Sequence, residues 1–155
     1  MGKSPKKLKA AKQNTALAAR IVEEARTWRN TPFLHQGRLK GLGVDCAGFI
    51  GEVAQNVGIS VEIPNDYRPQ EDGTAMMRLL SKHLTFIEMK DVRPGDVLAL
   101  CDKALRNPEI PRHLAFVTEV KDTTIFIIHA SERGVREHRT DGFWLRLIHS
   151  CWRIR

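Results

Sequence analysis

The sequence predicts an α+β fold. In its first half apolar residues recur at helical spacing, in its second half they gather into short β-branched runs, and turn-forming residues separate those runs. A chain of 155 residues with 42% hydrophobic content can bury one core, whereas two independent cores would leave each half marginal. The expected organisation is a basic flexible tail over residues 1–14 and a single domain over 15–155.

In the tail Lys3, Lys6, Lys7, Lys9 and Lys12 alternate with small and polar residues, which suits a solvated segment. From Thr15, the residues Leu17, Ala18, Ile21, Val22, Ala25 and Trp28 mark an amphipathic helix, which Asn30-Thr31-Pro32 ends. Residues 31–45 are rich in glycine and polar groups and read as a loop. Cys46, Phe49, Ile50, Val53, Ala54 and Val57 then fall on one helix face, with Asp45 as N-cap and Gly58 as C-cap. Two prolines, Asp66, Asp72 and Gly73 make residues 60–73 a connection, followed by a short helix from Ala75 to His83. Strands are expected at Val97 to Cys101, Leu114 to Val120, Thr124 to His129 and Trp144 to Ile148.

The formal charge of +7 and pI near 9.7 favour polyanionic surroundings: nucleic acid, an anionic membrane or a bacterial wall. A nucleic-acid module needs basic residues interleaved with stacking aromatics on one surface, but the lysines here concentrate in a stretch without aromatics. No specific nucleic-acid partner is expected. No apolar run approaches the ~20 residues that cross a bilayer, and no apolar signal segment follows the basic start. The expectation is therefore cytoplasmic synthesis, with any export carried out by other machinery. Cys46, Cys101 and Cys151 are odd in number and widely spaced, so neither a disulfide framework nor a thiolate metal site is indicated.

The position of Cys46 sets it apart. A thiol in the first turn of a helix faces unpaired N–H groups and the positive end of the dipole, which favour the thiolate. Taken alone, a cysteine on an inner helix face is more often a small packing residue. Among six histidines, His113 begins an apolar strand run and His129 ends the next one. Antiparallel pairing through the turn at Lys121-Asp122 brings those two ends side by side. Each histidine alone reads as structural; together with Cys46 they offer a nucleophile, a base and an orienting group. Cys101, Cys151, Trp28, Trp144 and Trp152 read as packing residues, and His83, His138 and His149 as solvated or half-buried ones without a partner pattern.

Four segments in order match a known pattern. Val44-Asp45-Cys46-Ala47-Gly48-Phe49-Ile50 resembles the DCSGF(V/I) motif of the NlpC/P60 cell-wall hydrolases, and Arg93-Pro94-Gly95-Asp96-Val97 resembles their RPGDL segment. His113-Leu114-Ala115-Phe116-Val117 resembles HVGIY, and Ile128-His129-Ala130-Ser131 resembles (V/I)HAS. The resemblance implies a papain-like fold, with Cys46 as nucleophile, His113 as base, His129 orienting His113, and no metal or organic cofactor. It implies a cysteine peptidase or amidase acting on peptidoglycan, with the Cys46 N–H in the oxyanion hole.

The loop Thr31-Pro32-Phe33-Leu34-His35-Gln36-Gly37 stands where many members carry TPYxYGG. This variant and the later Pro64-Asn65-Asp66-Tyr67-Arg68-Pro69 resemble compact members from tailed phages, prophages and gene transfer agents. That subgroup implies a virion setting at the tail tip, with tail proteins as partners and delivery replacing a signal peptide. His35 and Gln36 become candidates for the substrate cleft, against the ordinary reading of loop residues as surface.

Two positions depart from the family. Phe33 lacks the hydroxyl that the family tyrosine brings near the cysteine, so either another donor serves or the oxyanion site is weaker. Ala47 lacks the hydroxyl with which many members bind the N-terminal L-Ala of a stem peptide, leaving Asp45 to meet an ammonium group. A tail protein with the same fold and little catalysis is the alternative reading, and an acyl-transferase using the same thioester is a third.

Overall fold

A computed structural model describes residues 2–64, 67, 73–101 and 110–155. The first helix, α1 (Pro5–Thr27), starts at Pro5 and not at Thr15: Ser4 Oγ accepts from the Lys7 N–H, and Pro5 opens the first turn. Alanines and lysines carry that helix well, so the basic stretch is helical, and residues 2–16 remain solvent-exposed. The expected stripe of Ile21, Val22, Ala25 and Trp28 is buried.

The glycine-spaced loop holds a small antiparallel hairpin of β1 (Arg38–Leu39) and β2 (Gly43–Val44). It leads into α2 (Cys46–Asn56), where Asp45 caps the start and Gly58, at φ 90°, follows the end. After α3 (Thr74–His83) come β3 (Leu84–Ile87) and a short 3-10 turn at Met89–Asp91. The remaining elements are β4 (Val97–Cys101), β5 (Pro111–Lys121), β6 (Thr124–Ser131), β7 (Gly134–Arg139), α4 (Gly142–Leu145) and β8 (Ile148–Ile154).

The strands form one six-stranded antiparallel sheet in the order β3-β8-β4-β5-β6-β7. The α+β architecture is thus present, with helices packed on a sheet. Packing on the helical side centres on Phe49, whose ring meets Trp28 at 6.0 Å and Phe116 at 5.6 Å, both edge-on. Alternate strand residues Leu98, Leu100, Ala115, Val117, Ile125, Ile127 and Cys151 build a second cluster.

The strand expected from Trp144 to Ile148 is corrected. Trp144 lies in α4, because Asp141 Oδ1 accepts from the N–H groups of Phe143 and Trp144 and starts a helical turn. The strand begins only at Ile148. β3 and β7 were not expected; as edge strands they bury few residues and show little apolar patterning.

The Arg93-Pro94-Gly95-Asp96 turn launches β4 and locks it to β8. Asp96 is 1% exposed; its carboxylate accepts from the Arg93 N–H at 2.9 Å and takes the Arg153 guanidinium through two bonds of 2.8 Å. Gly95, at φ 90°, sits so close to α1 that an added Cβ would lie 3.0 Å from Ala18 Cα. Replacing Arg153 by Met removes the partner and leaves a buried carboxylate. Urea denaturation of Arg153→Met is expected to show a loss of about 3 kcal/mol.

Candidate active site

Asp45 and Cys46, neighbours at the start of α2, are held by different parts of the chain. Asp45 is 3% exposed, and its Oδ1 accepts from the Gly48 N–H at 2.8 Å, which fixes the first turn of α2. That close turn requires a glycine, since a Cβ on Gly48 would lie 2.6 Å from the Gly37 carbonyl oxygen. Cys46 follows as the first helical residue and is half-buried. The β5–β6 ladder runs from Lys121 opposite Thr124 to Phe116 opposite Ile128. Leu114 lies beyond that last pair, and its backbone hydrogen-bonds the Cys46 sulfur. The interaction favours the thiolate, so the N–H is the donor. Cys46 is thereby seated beside the residue that follows His113.

The thiol's acidity is the reverse of the sequence expectation. Burial first, and the adjacent Asp45 carboxylate second, push the Cys46 thiol up to about 11. The backbone N–H groups of Leu114, Ala47 and Cys46 pull the other way and do not prevail. The sequence marks the helix start but not the buried anion beside it. At neutral pH the group is therefore a thiol, and any reaction through its sulfur would need a base to take the proton.

The two histidines expected to meet do so. His113 Nε2 and His129 Nδ1 are 2.7 Å apart, with the rings crossed at 82°. His129 is 4% exposed; burial, then the neighbouring His113 and His138, lower its pKa to about 3. A third imidazole, unforeseen from the sequence, continues the row: His129 Nε2 lies 2.9 Å from His138 Nε2, and His138 Nδ1 lies 2.9 Å from the Arg139 carbonyl oxygen. Trp144 covers this row, with its ring centroid 5.2 Å from that of His129 and 4.8 Å from that of His138. The rings stand in file. Among the described residues no group of three side chains that could hold a metal ion is found.

The loop residues converge on Asp45 from the other side. The Gln36 N–H donates to Asp45 Oδ2 at 2.7 Å, and His35 Nδ1 lies 3.7 Å from the same oxygen. Gln36 adopts φ 58°, a left-handed conformation uncommon outside glycine, and its side-chain amide donates to the Tyr67 carbonyl at 2.7 Å. The Tyr67 hydroxyl donates to Asp45 Oδ2, and its ring meets His35 edge-on at 5.4 Å. Burial and the Asp45 hydrogen bond raise the phenol's pKa, and the Cys46 charge acts on it in the same direction. Phe33, where the family tyrosine stands, is 43% exposed. A tyrosine hydroxyl is thus present at the site but arrives from the 64–69 segment, of which residues 65–66 and 68–69 lie outside the described residues.

No family model matches the chain, and no curated protein matches it in sequence. Solved structures do. An NLP/P60-family lipoprotein-like protein from Staphylococcus aureus superposes with a TM-score of 0.64 at 18% identity, covering 90% of this chain and 41% of that one. An NlpC/P60 family protein from Bacillus cereus gives 0.64 at 19% identity, with 88% and 40% covered. This chain therefore spans well under half of either protein. The NlpC/P60 domain of the peptidoglycan hydrolase SagA gives 0.55 at 22% identity, covering 89% of this chain and 97% of that domain. The chain shares the NlpC/P60 fold.

Two measurements check the electrostatics. Thiolate absorbance of wild type minus Cys46→Ala is expected to titrate near 11. His129 binds protons less readily folded than unfolded, where the ordinary value is about 6.5. Its contribution to stability is thus complete above about 6.5 and is lost as pH falls toward 3. Denaturation series in that window should show stability declining by a few kcal/mol, roughly, and less steeply in His129→Gln.

Proposed function

We propose that this chain is a cysteine peptidase or amidase that cuts stem-peptide bonds in bacterial peptidoglycan. One observation carries the reading: Cys46 opens a capped helix with the Leu114 N–H on its sulfur, and the residue before Leu114 is His113, whose Nε2 lies 2.7 Å from His129 Nδ1. That is a nucleophile, a base and an orienting group from three elements.

In the proposed cycle His113 takes the Cys46 proton as Sγ bonds to the scissile carbonyl carbon. The oxyanion so formed is met by the Cys46 N–H at the helix start. The tetrahedral adduct collapses, the C–N bond breaks, and His113 passes its proton to the leaving amine. Water, deprotonated by His113, then attacks the thioester; the C–S bond breaks and the thiol recovers its proton. His35 and Gln36, gathered round the buried Asp45 with Tyr67, are the side chains we assign to the polar end of a stem peptide.

The substrate class is supported by SagA, a peptidoglycan hydrolase, and by Ly7917, solved with the hydrolysing product of MDP and similar to this chain at a TM-score of 0.54. Lysines on the solvated start of α1 suit the acidic polymers of a wall. The setting we propose is a phage or phage-like tail, a reading supported by the His35-Gln36 loop variant and by the segment that carries Tyr67.

The test is release of soluble muropeptides from purified peptidoglycan, with products identified by mass. Wild type is expected to release them, and Cys46→Ala to lose at least about 1000-fold in rate. Absence of release from several wall chemotypes, together with an unreactive Cys46, would favour a tail protein that keeps the fold without the chemistry.

A further inference from the structure

His129 and His138 occupy neighbouring strands. In the β6–β7 ladder His129 faces Arg136 and Ile127 faces His138, so the two histidines are diagonal neighbours on one face. Glu137, between Arg136 and His138, points the other way and pairs with Arg26 and Arg29. β7 is thus held against α1 by one residue and presents the next to His129. The end of the row is a backbone carbonyl, that of Arg139.

A carbonyl oxygen can only accept, so with one proton on each ring of the row His138 carries its proton on Nδ1. Its Nε2 is then a lone pair, and the 2.9 Å contact requires an N–H on His129 Nε2. His129 Nδ1 is in turn a lone pair, which at 2.7 Å requires an N–H on His113 Nε2. With one proton on that ring, the lone pair of His113 is on Nδ1. We propose that His138 is a positioning residue that, through His129, sets the tautomer of His113 and so makes Nδ1 the proton acceptor for Cys46.

This inference rests on the hydrolase reading only for what His113 does; the tautomers follow from the hydrogen bonds. A neutral His129 is what the relay needs, and its burial between two other histidines holds it neutral. Trp144 packs against both His129 and His138, with ring centroids 5.2 and 4.8 Å away. A wrong tautomer of the base is known to be costly in nucleophile–histidine enzymes, because the lone pair then faces away from the proton it must take.

Two-bond proton–nitrogen correlation spectra of the 15N-labelled full chain at neutral pH distinguish protonated from lone-pair ring nitrogens. Expected are N–H at Nε2 of His113 and His129 and at Nδ1 of His138; a proton on His113 Nδ1 or His138 Nε2 overturns the proposal. In the muropeptide assay His138→Phe should lower kcat by roughly 10- to 100-fold, a fraction of what a positioned base supplies, with KM within about twofold. His138→Gln, whose amide oxygen can accept from His129, should restore most of the loss. A His138→Phe protein with wild-type kcat and an unchanged His113 tautomer also overturns it. The wild-type spectrum decides the matter if His138→Phe does not fold. Expected tautomers in a wild type that releases no muropeptides would sink the hydrolase reading and leave the relay standing.

Discussion

The Asp45 carboxylate gathers donors from three separate parts of the chain. One oxygen takes the Gly48 N–H of the helix that follows it, and the other takes the Gln36 N–H and the Tyr67 hydroxyl. A buried anion is tolerable only when its lone pairs are occupied, so this group dictates where each of those segments must lie. The first turn of α2 is thereby fixed, and with it the direction in which Cys46 enters the cleft. Gln36 pays with a left-handed backbone that the hydrogen bond to Asp45 helps hold.

The same anion shapes the chemistry. Its charge, added to burial, keeps the neighbouring thiol protonated, so the helix start does not by itself prepare a thiolate. In the proposed mechanism the base must then be a competent acceptor before attack begins. Elsewhere in the fold three histidines stand in file, each ring within hydrogen-bond distance of the next, ending on a backbone carbonyl. The carboxylate is thus saturated with donors, and the histidines are ordered by their contacts with one another.

The fold tolerates a change in which segment supplies a given group. Phe33 is exposed where related motifs carry a tyrosine, while Tyr67, from a distant connection, brings a hydroxyl to Asp45. Similarity to NlpC/P60 structures at 18–22% identity is compatible with this freedom, since the helix, the sheet and the Asp96–Arg153 clamp hold the frame.

Much of this was legible in the residues themselves. The helical stripe from Ile21 to Trp28, the capped helix at Asp45-Cys46 and the strands at Val97, Leu114 and Thr124 follow from periodicity and cap chemistry, which are local. So does the meeting of His113 and His129, because a tight turn between two adjacent strands leaves little choice of register. The edge strands β3 and β7 were hidden because solvated edges lack apolar patterning, and α4 because Asp141 caps a turn within an apolar run. His138 and Tyr67 were hidden for a different reason: their roles depend on which strand or segment packs beside which. The acidity of Cys46 belongs to that group too, for it is a balance of burial, a neighbouring charge and backbone donors. Such balances arise only when parts distant in sequence exclude water from a shared space, and tertiary packing alone decides them.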